Sequence, residues 1–194
     1  MTRIFTLLLF LISVELLFAQ NAPNDCVNAI VVCGNGNFSS NANGIGNVQE
    51  VSGCGGFEHN SLWIKINIVQ GGTLGFNLIP DDPNINVDYD FWVFGPDVSC
   101  SNLGSPIRCS TTNPEAINQA NNHTGMNSAS SDFFEGPGND GNSYVRNLSV
   151  MSGQSYFIVI DRPIGSSHRG SRHSGRYDHV LCPPRRQRLP LRTV

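Results

Sequence analysis

Residues 81–90 read Asp81-Asp82-Pro83-Asn84-Ile85-Asn86-Val87-Asp88-Tyr89-Asp90, four carboxylates and two side-chain amides in one short stretch. Asp88 and Asp90 are two apart, which on a strand puts both on one face, and converging carboxylates repel unless protonated or bridged by a cation. Calcium, which takes roughly six to eight oxygen ligands, is the natural bridge outside the cell. Asp81, Asp82, Asp88 and Asp90 are therefore candidate ligands. Asp132, Glu135, Asn139 and Asp140 from a later polar stretch add further oxygens. The spacing is not that of an EF-hand, so the expectation rests on clustered oxygens alone. The competing reading is a solvated acidic turn started by Asp82-Pro83, with Asp90 capping backbone groups.

Signatures of catalysis are mostly missing. His59 and His123 lie in polar stretches, no serine sits in G-x-S-x-G, and no cysteine has a histidine signature. Glu50, Glu58, Glu115 and Glu135 are candidates for a paired-carboxylate site, but glutamates in polar surroundings are more often surface. The chain is therefore expected not to be an enzyme. Trp92 shares a strand face with Phe94 and reads as core. Trp63, near Lys65 and Asn67, reads equally as core or as a sugar-stacking platform.

The elements that must position these groups alternate with period two. In 61–69, Leu62, Ile64, Ile66 and Ile68 fall on one face and Trp63, Lys65 and Asn67 on the other, a half-buried strand. Gln70-Gly71-Gly72 turns into 73–79, where Leu74, Phe76 and Leu78 alternate with small or polar residues, so the two runs read as a β-hairpin. Residues 89–94 and 155–160 are apolar on both faces and read as central strands. Stretches 29–33 and 144–150 complete the set, with a weaker strand at 48–51. Nothing in the body holds helical spacing for three turns. Strands of this length imply an all-β, jelly-roll-like β-sandwich. Residues 110–143 form one long polar loop with Phe133 and Phe134 as its main apolar anchors; connections of this length tend to be functional, so it is the first place to look for a site.

Arg3, the mostly apolar run 4–12 and the small residue Ala19 describe a secretory signal peptide over 1–19. Glu15 interrupts the stretch, and no later one is long enough to span a membrane, so no transmembrane anchor is expected. In an oxidising compartment cysteines default to disulfides. Cys100 and Cys109 flank a turn-rich step and are expected to pair with each other; Cys54 is expected to pair with Cys26 or Cys33. With no C-x-x-C and two histidines in the body, zinc is disfavoured. The sequons at Asn37, Asn122 and Asn147 are expected by chance, since all 22 asparagines of the chain lie between Asn21 and Asn147.

The formal charge of −3, from 12 Lys+Arg against 15 Asp+Glu, conceals a split. From Gly165 onward seven arginines face the single acid Asp178, so the last 30 of 194 residues carry +6 and the rest −9. A body whose only lysine is Lys65 excludes nucleic acid as a partner on charge.

The segments Asn24-Asp25-Cys26-Val27-Asn28-Ala29-Ile30, Cys54-Gly55-Gly56, Asn60-Ser61-Leu62-Trp63-Ile64-Lys65-Ile66, Gly72-Thr73-Leu74-Gly75-Phe76, Asp88-Tyr89-Asp90-Phe91-Trp92-Val93-Phe94-Gly95-Pro96 and Gly153-Gln154-Ser155-Tyr156-Phe157-Ile158-Val159-Ile160-Asp161 together resemble the N-terminal β-sandwich module of secreted Bacteroidetes-type surface proteins. Those are exported by the type IX secretion system and associated with gliding motility. The module is similar to pre-peptidase C-terminal-type jelly rolls. The resemblance covers about residues 24–163. It implies a secreted or cell-surface location and a role in adhesion or in binding an extracellular polysaccharide or protein ligand. Some related sandwiches bind calcium, and only Asp88 and Asp90 fall within a matching motif. After Pro163 the resemblance ends: in place of a last apolar strand the chain reads Ser166-Ser167-His168-Arg169 and then Pro183-Pro184-Arg185-Arg186, with Cys182 between. The organisation expected is a signal peptide at 1–19, a sandwich domain at 20–164 and an atypical basic tail at 165–194, out of frame or disordered. The rival roles are a structural spacer and an accessory domain of a secreted hydrolase.

Overall fold

The computed structural model describes residues 22–32, 40 and 42–163. The expected signal peptide, Cys33, the sequon at Asn37, Cys182 and the basic tail lie outside the described residues. The strands are β1 (Ile30–Val32), β2 (Ser61–Asn67), β3 (Gly72–Leu74), β4 (Phe76–Leu78), β5 (Asp90–Phe94), β6 (Arg108–Thr112), β7 (Thr124–Asn127), β8 (Phe134–Gly138), β9 (Tyr144–Arg146), β10 (Leu148–Val150) and β11 (Ser155–Asp161). Among the described residues the one helical element is a 3-10 turn at Cys26–Asn28. The fold is all-β and sandwich-like. One layer is a six-stranded sheet in the order β1-β2-β11-β5-β6-β8; the other consists of the pair β10-β3 and the trio β4-β7-β9. Strands β2, β11, β5 and β6 run antiparallel to one another in that order, while β1 and β8 join the edges in parallel.

Period-two alternation decides where the core forms, because β5 and β11 are apolar on both faces and must be covered on both, while β2 adds Trp63 to the second face beside Lys65 and Asn67. On one face Ile64, Ile66, Phe91, Val93, Ile158 and Ile160 meet Leu74, Phe76, Leu78, Met126 and Val145 of the second layer. Phe76 and Phe91 close the seam edge to face, 5.0 Å between centroids. On the other face Trp63, Trp92, Phe94, Phe157 and Val159 are covered by Cys26, Val51 and Leu103 from the loops. Both tryptophans are fully buried, so Trp63 is core and not a sugar platform.

The expected hairpin does not form. β2 pairs with β1 and β11, β3 with β10, and β4 with β7. β2 sits inside its sheet between β1 and β11, and the chain crosses to the second layer so that Leu74, Phe76 and Leu78 can cover its apolar face. Stretch 144–150 likewise splits at Asn147: β9 joins the β4-β7 sheet and β10 pairs with β3. Residues 48–51 form no strand but a loop held by side chains. Within the long polar connection, β7 and β8 are two short strands that pair in parallel with β9 and β6.

The bridges run Cys26–Cys100 and Cys54–Cys109, with Cα separations of 5.5 and 6.4 Å. Cys100 and Cys109 therefore do not pair with each other, and Cys54 joins neither Cys26 nor Cys33. The reason is layering: Cys109 lies opposite Trp92 on β6 and faces the 52–56 loop, whereas Cys100 sits in the 99–102 turn above the Cys26 turn.

Candidate functional site: buried carboxylates and a cleft beside β8

Most buried acids of this chain serve as clamps on loop backbone. Asp25 accepts from Asn47 N at 2.6 Å and Val48 N at 3.0 Å. Glu58 accepts from Trp63 Nε1 at 2.8 Å, Glu50 N at 2.7 Å and Val51 N at 3.1 Å, which seats the 49–51 loop on the Trp63 face. Glu50 in turn accepts from Cys26 N at 2.8 Å, although burial raises its pKa. Asp161, at the end of β11, accepts from His59 N at 2.6 Å, Asn60 N at 2.7 Å and Ser61 Oγ at 3.3 Å, and His59 Nδ1 lies 3.0 Å from its second oxygen. The four or so donors at Asp161 solvate its charge internally, as water would outside. Asp25, Glu58 and Asp161 are consumed by structure, with both oxygens of each engaged.

The acidic segment divides in two. Asp81 is exposed and Asp82 half-buried, and the turn winds through Asp82 Oδ1 accepting from Asn84 N at 2.9 Å and Asn84 Oδ1 from Asn86 N at 3.0 Å. Asn122 fastens it from within: its Nδ2 donates to the carbonyls of Asp82, Asn84 and Val87 at 2.9, 3.1 and 3.2 Å. This sequon amide is buried and engaged. Asp88 and Asp90 are buried, and Asp90 is the register partner of Asp161. Burial pushes the Asp88 carboxyl up to about 7, helped by the negative charge of Asp161. Burial, then Asp88 and Asp161, raises Asp90 well above the carboxylate range.

The expected seven-acid calcium set does not assemble. Asp132, Glu135 and Asp140 belong to the β8 region, and no three His, Cys, Asp or Glu side chains gather in metal-holding geometry among the described residues. The sequence stretches that carry the two groups end on different strands, β5 and β8.

Beside β8 lies a cleft of about 480 Å³ between the 52–54 loop, the Ser105-Pro106 turn and Phe134, Glu135, Gly136 and Asp140. The Cys54–Cys109 bridge ties the loop wall to β6, and Thr111 Oγ1 donates to the Cys54 carbonyl at 2.7 Å. Glu135 shapes the other wall from inside, accepting from Asn142 N at 2.9 Å, Thr112 Oγ1 at 3.1 Å and Ser110 Oγ at 3.4 Å; burial raises its pKa. Gly141, at φ +75°, passes over that carboxyl so closely that a Cβ would collide with it, which requires glycine. Asp140 Oδ2 accepts from Gly136 N at 2.8 Å, ending the edge of the sheet. Phe134 stays 54% and Phe133 46% exposed, so the two are not core anchors; Arg108 lies 4.2 Å over the Phe133 ring.

Sequence reading directs attention to the 110–143 stretch, to Glu135 and to Asp140, which the structure places at the cleft. It misses the opposing wall at 52–54 and 105–106, and Asn122. Paired phenylalanines in an Asn- and Ser-rich stretch read as apolar anchors, and the structure instead leaves both rings exposed. Glu115 is exposed, Glu135 lies at the cleft, and Glu50 and Glu58, close enough for the Glu58 charge to act on Glu50, are both tied to backbone in the loop clamps. Compared with family models, curated proteins and solved structures, the chain matches none.

Proposed function

We propose that the chain is an exported, non-catalytic binding module of the cell surface that holds an extracellular polysaccharide in the cleft beside β8. The observation that carries this is the exposed Phe134 ring on a concave wall shared with Glu135, Asp140, Ser52 and Ser105. A sugar ring offers an apolar C–H face that stacks on an aromatic and a rim of hydroxyls that hydrogen-bond carboxylates. Export is supported by the signal-peptide pattern of residues 1–19 and by two disulfides. The resemblance to Bacteroidetes-type surface modules supports adhesion. A hydrolytic role fits less well, because the Glu135 carboxyl is already held by Asn142, Thr112 and Ser110.

Affinity electrophoresis through gels containing soluble polysaccharides tests the reading. Retardation of the wild type on at least one polysaccharide, lost in Phe134→Ala, is the expected result. Equal retardation of both proteins removes the cleft from the mechanism, and migration unaffected by every polysaccharide leaves the spacer role.

A further inference from the structure

Asp88 and Asp90 differ from the other buried acids of this fold. Asp25, Glu58, Glu135 and Asp161 each accept several hydrogen bonds, whereas Oδ1 of Asp88 and Oδ1 of Asp90 are buried and accept none. A third buried oxygen in the same condition is Asn122 Oδ1. Its orientation is set by chemistry: the amide nitrogen is committed to three carbonyls of the acidic turn, the last belonging to Val87, whose peptide leads into Asp88. All three residues are more than nine-tenths buried, with exposures of 8, 5 and 2%. Each of these three oxygens is an acceptor, so the group they lack is positively polarised. Asp161 cannot relieve the repulsion, since it is itself an anion facing Asp90 across β11 and β5.

From this geometry we infer that Asp88, Asp90 and Asn122 bind one hard divalent cation of the calcium class where the acidic turn enters β5. None of the three lines the cleft, so the site is independent of the polysaccharide reading. Two carboxylates, one amide oxygen and the neighbouring carbonyls and water supply the all-oxygen shell that calcium prefers and zinc does not. Binding joins the turn at 82–87 to the central strand β5, and so adds stability to the folded state alone.

The test uses the full chain stripped with chelator and titrated with CaCl2 or MgCl2 at pH 8, read by calorimetry and by thermal melting. One calcium per chain, with a rise in Tm of about 5 °C or more at saturating calcium, is expected. Asp88→Asn and Asp90→Asn replace charge with a near-isosteric amide; both should fold, melt in chelator no lower than the wild type, and lose the calcium response. Absence of heat and of any Tm shift overturns the inference, and means that protons, not a cation, neutralise the pair. A calcium response undiminished in both variants overturns it as well, because the cation then binds elsewhere.

Discussion

Glu58 illustrates how a chain poor in basic residues uses a buried acid. With both oxygens committed to Trp63 Nε1 and the amides of Glu50 and Val51, its removal leaves three donors without partners over a fully buried indole. Each orphaned donor costs about 1–3 kcal/mol, so Glu58→Ala should lower unfolding stability by roughly 3 kcal/mol or more in urea titrations. A loss below about 1 kcal/mol would show that the 49–51 loop is not held this way. This role is not legible along the chain: Glu58 sits in the polar run Glu58-His59-Asn60 and looks like surface. The same holds for Asn122, a sequon residue in a stretch of amides. A clamp is defined by which backbone N–H or C=O groups arrive around a side chain, and those of Glu50, Val51 and Val87 arrive through folding. The burial of Trp92 was legible, because its strand face also carries Phe94.

At the scale of elements, β5 and β11 announce themselves by apolar residues on both faces, and the structure seats them mid-sheet, β11 between β2 and β5. Among the described residues the sheet ends at β1 and β8. Pairing was not legible. β2 and β3 are close in sequence and look like a hairpin, yet alternation states only that a face is buried, and a face is buried equally well by the opposite layer. Disulfides follow the same rule. Non-reducing peptide mapping by mass spectrometry should recover Cys26 linked to Cys100 and Cys54 linked to Cys109; a Cys100–Cys109 peptide would contradict the layering. Cys54→Ser with Cys109→Ser releases a loop closed over 55 positions and should cost about 2–4 kcal/mol. Because the bridge fixes the 52–54 wall of the cleft to β6, the same variant should bind polysaccharide more weakly than the wild type.

For the molecule as a whole, the two buried acids of β5 and its approach make stability depend on pH in an unusual direction. In the folded state the Asp88 carboxyl titrates near 7, against about 3.8 when exposed, and Asp90 is displaced the same way. The folded chain therefore holds more protons than the unfolded chain between these limits, and stability must fall as pH rises through them, by about 1.4 kcal/mol per unit for Asp88 alone. In chelator, Tm should decline from pH 4 to pH 7; Asp88→Asn should flatten the decline, while a Tm that rises steadily to neutral pH would show that the pair is ionised and otherwise satisfied. What the sequence determined by itself was class and composition: period-two apolar strands, an acidic body, and cysteines suited to an oxidising compartment. These follow from local pattern, since which residues a strand must bury is written in its own alternation. Only the tertiary structure decided which strands pair, which cysteines meet, that Asp25, Glu58, Glu135 and Asp161 are clamps, and that Asp88 and Asp90 lie apart from Glu135 and Asp140. Those outcomes depend on contacts between residues tens of positions apart, whose partners are chosen by how two layers and a cover of loops fill space.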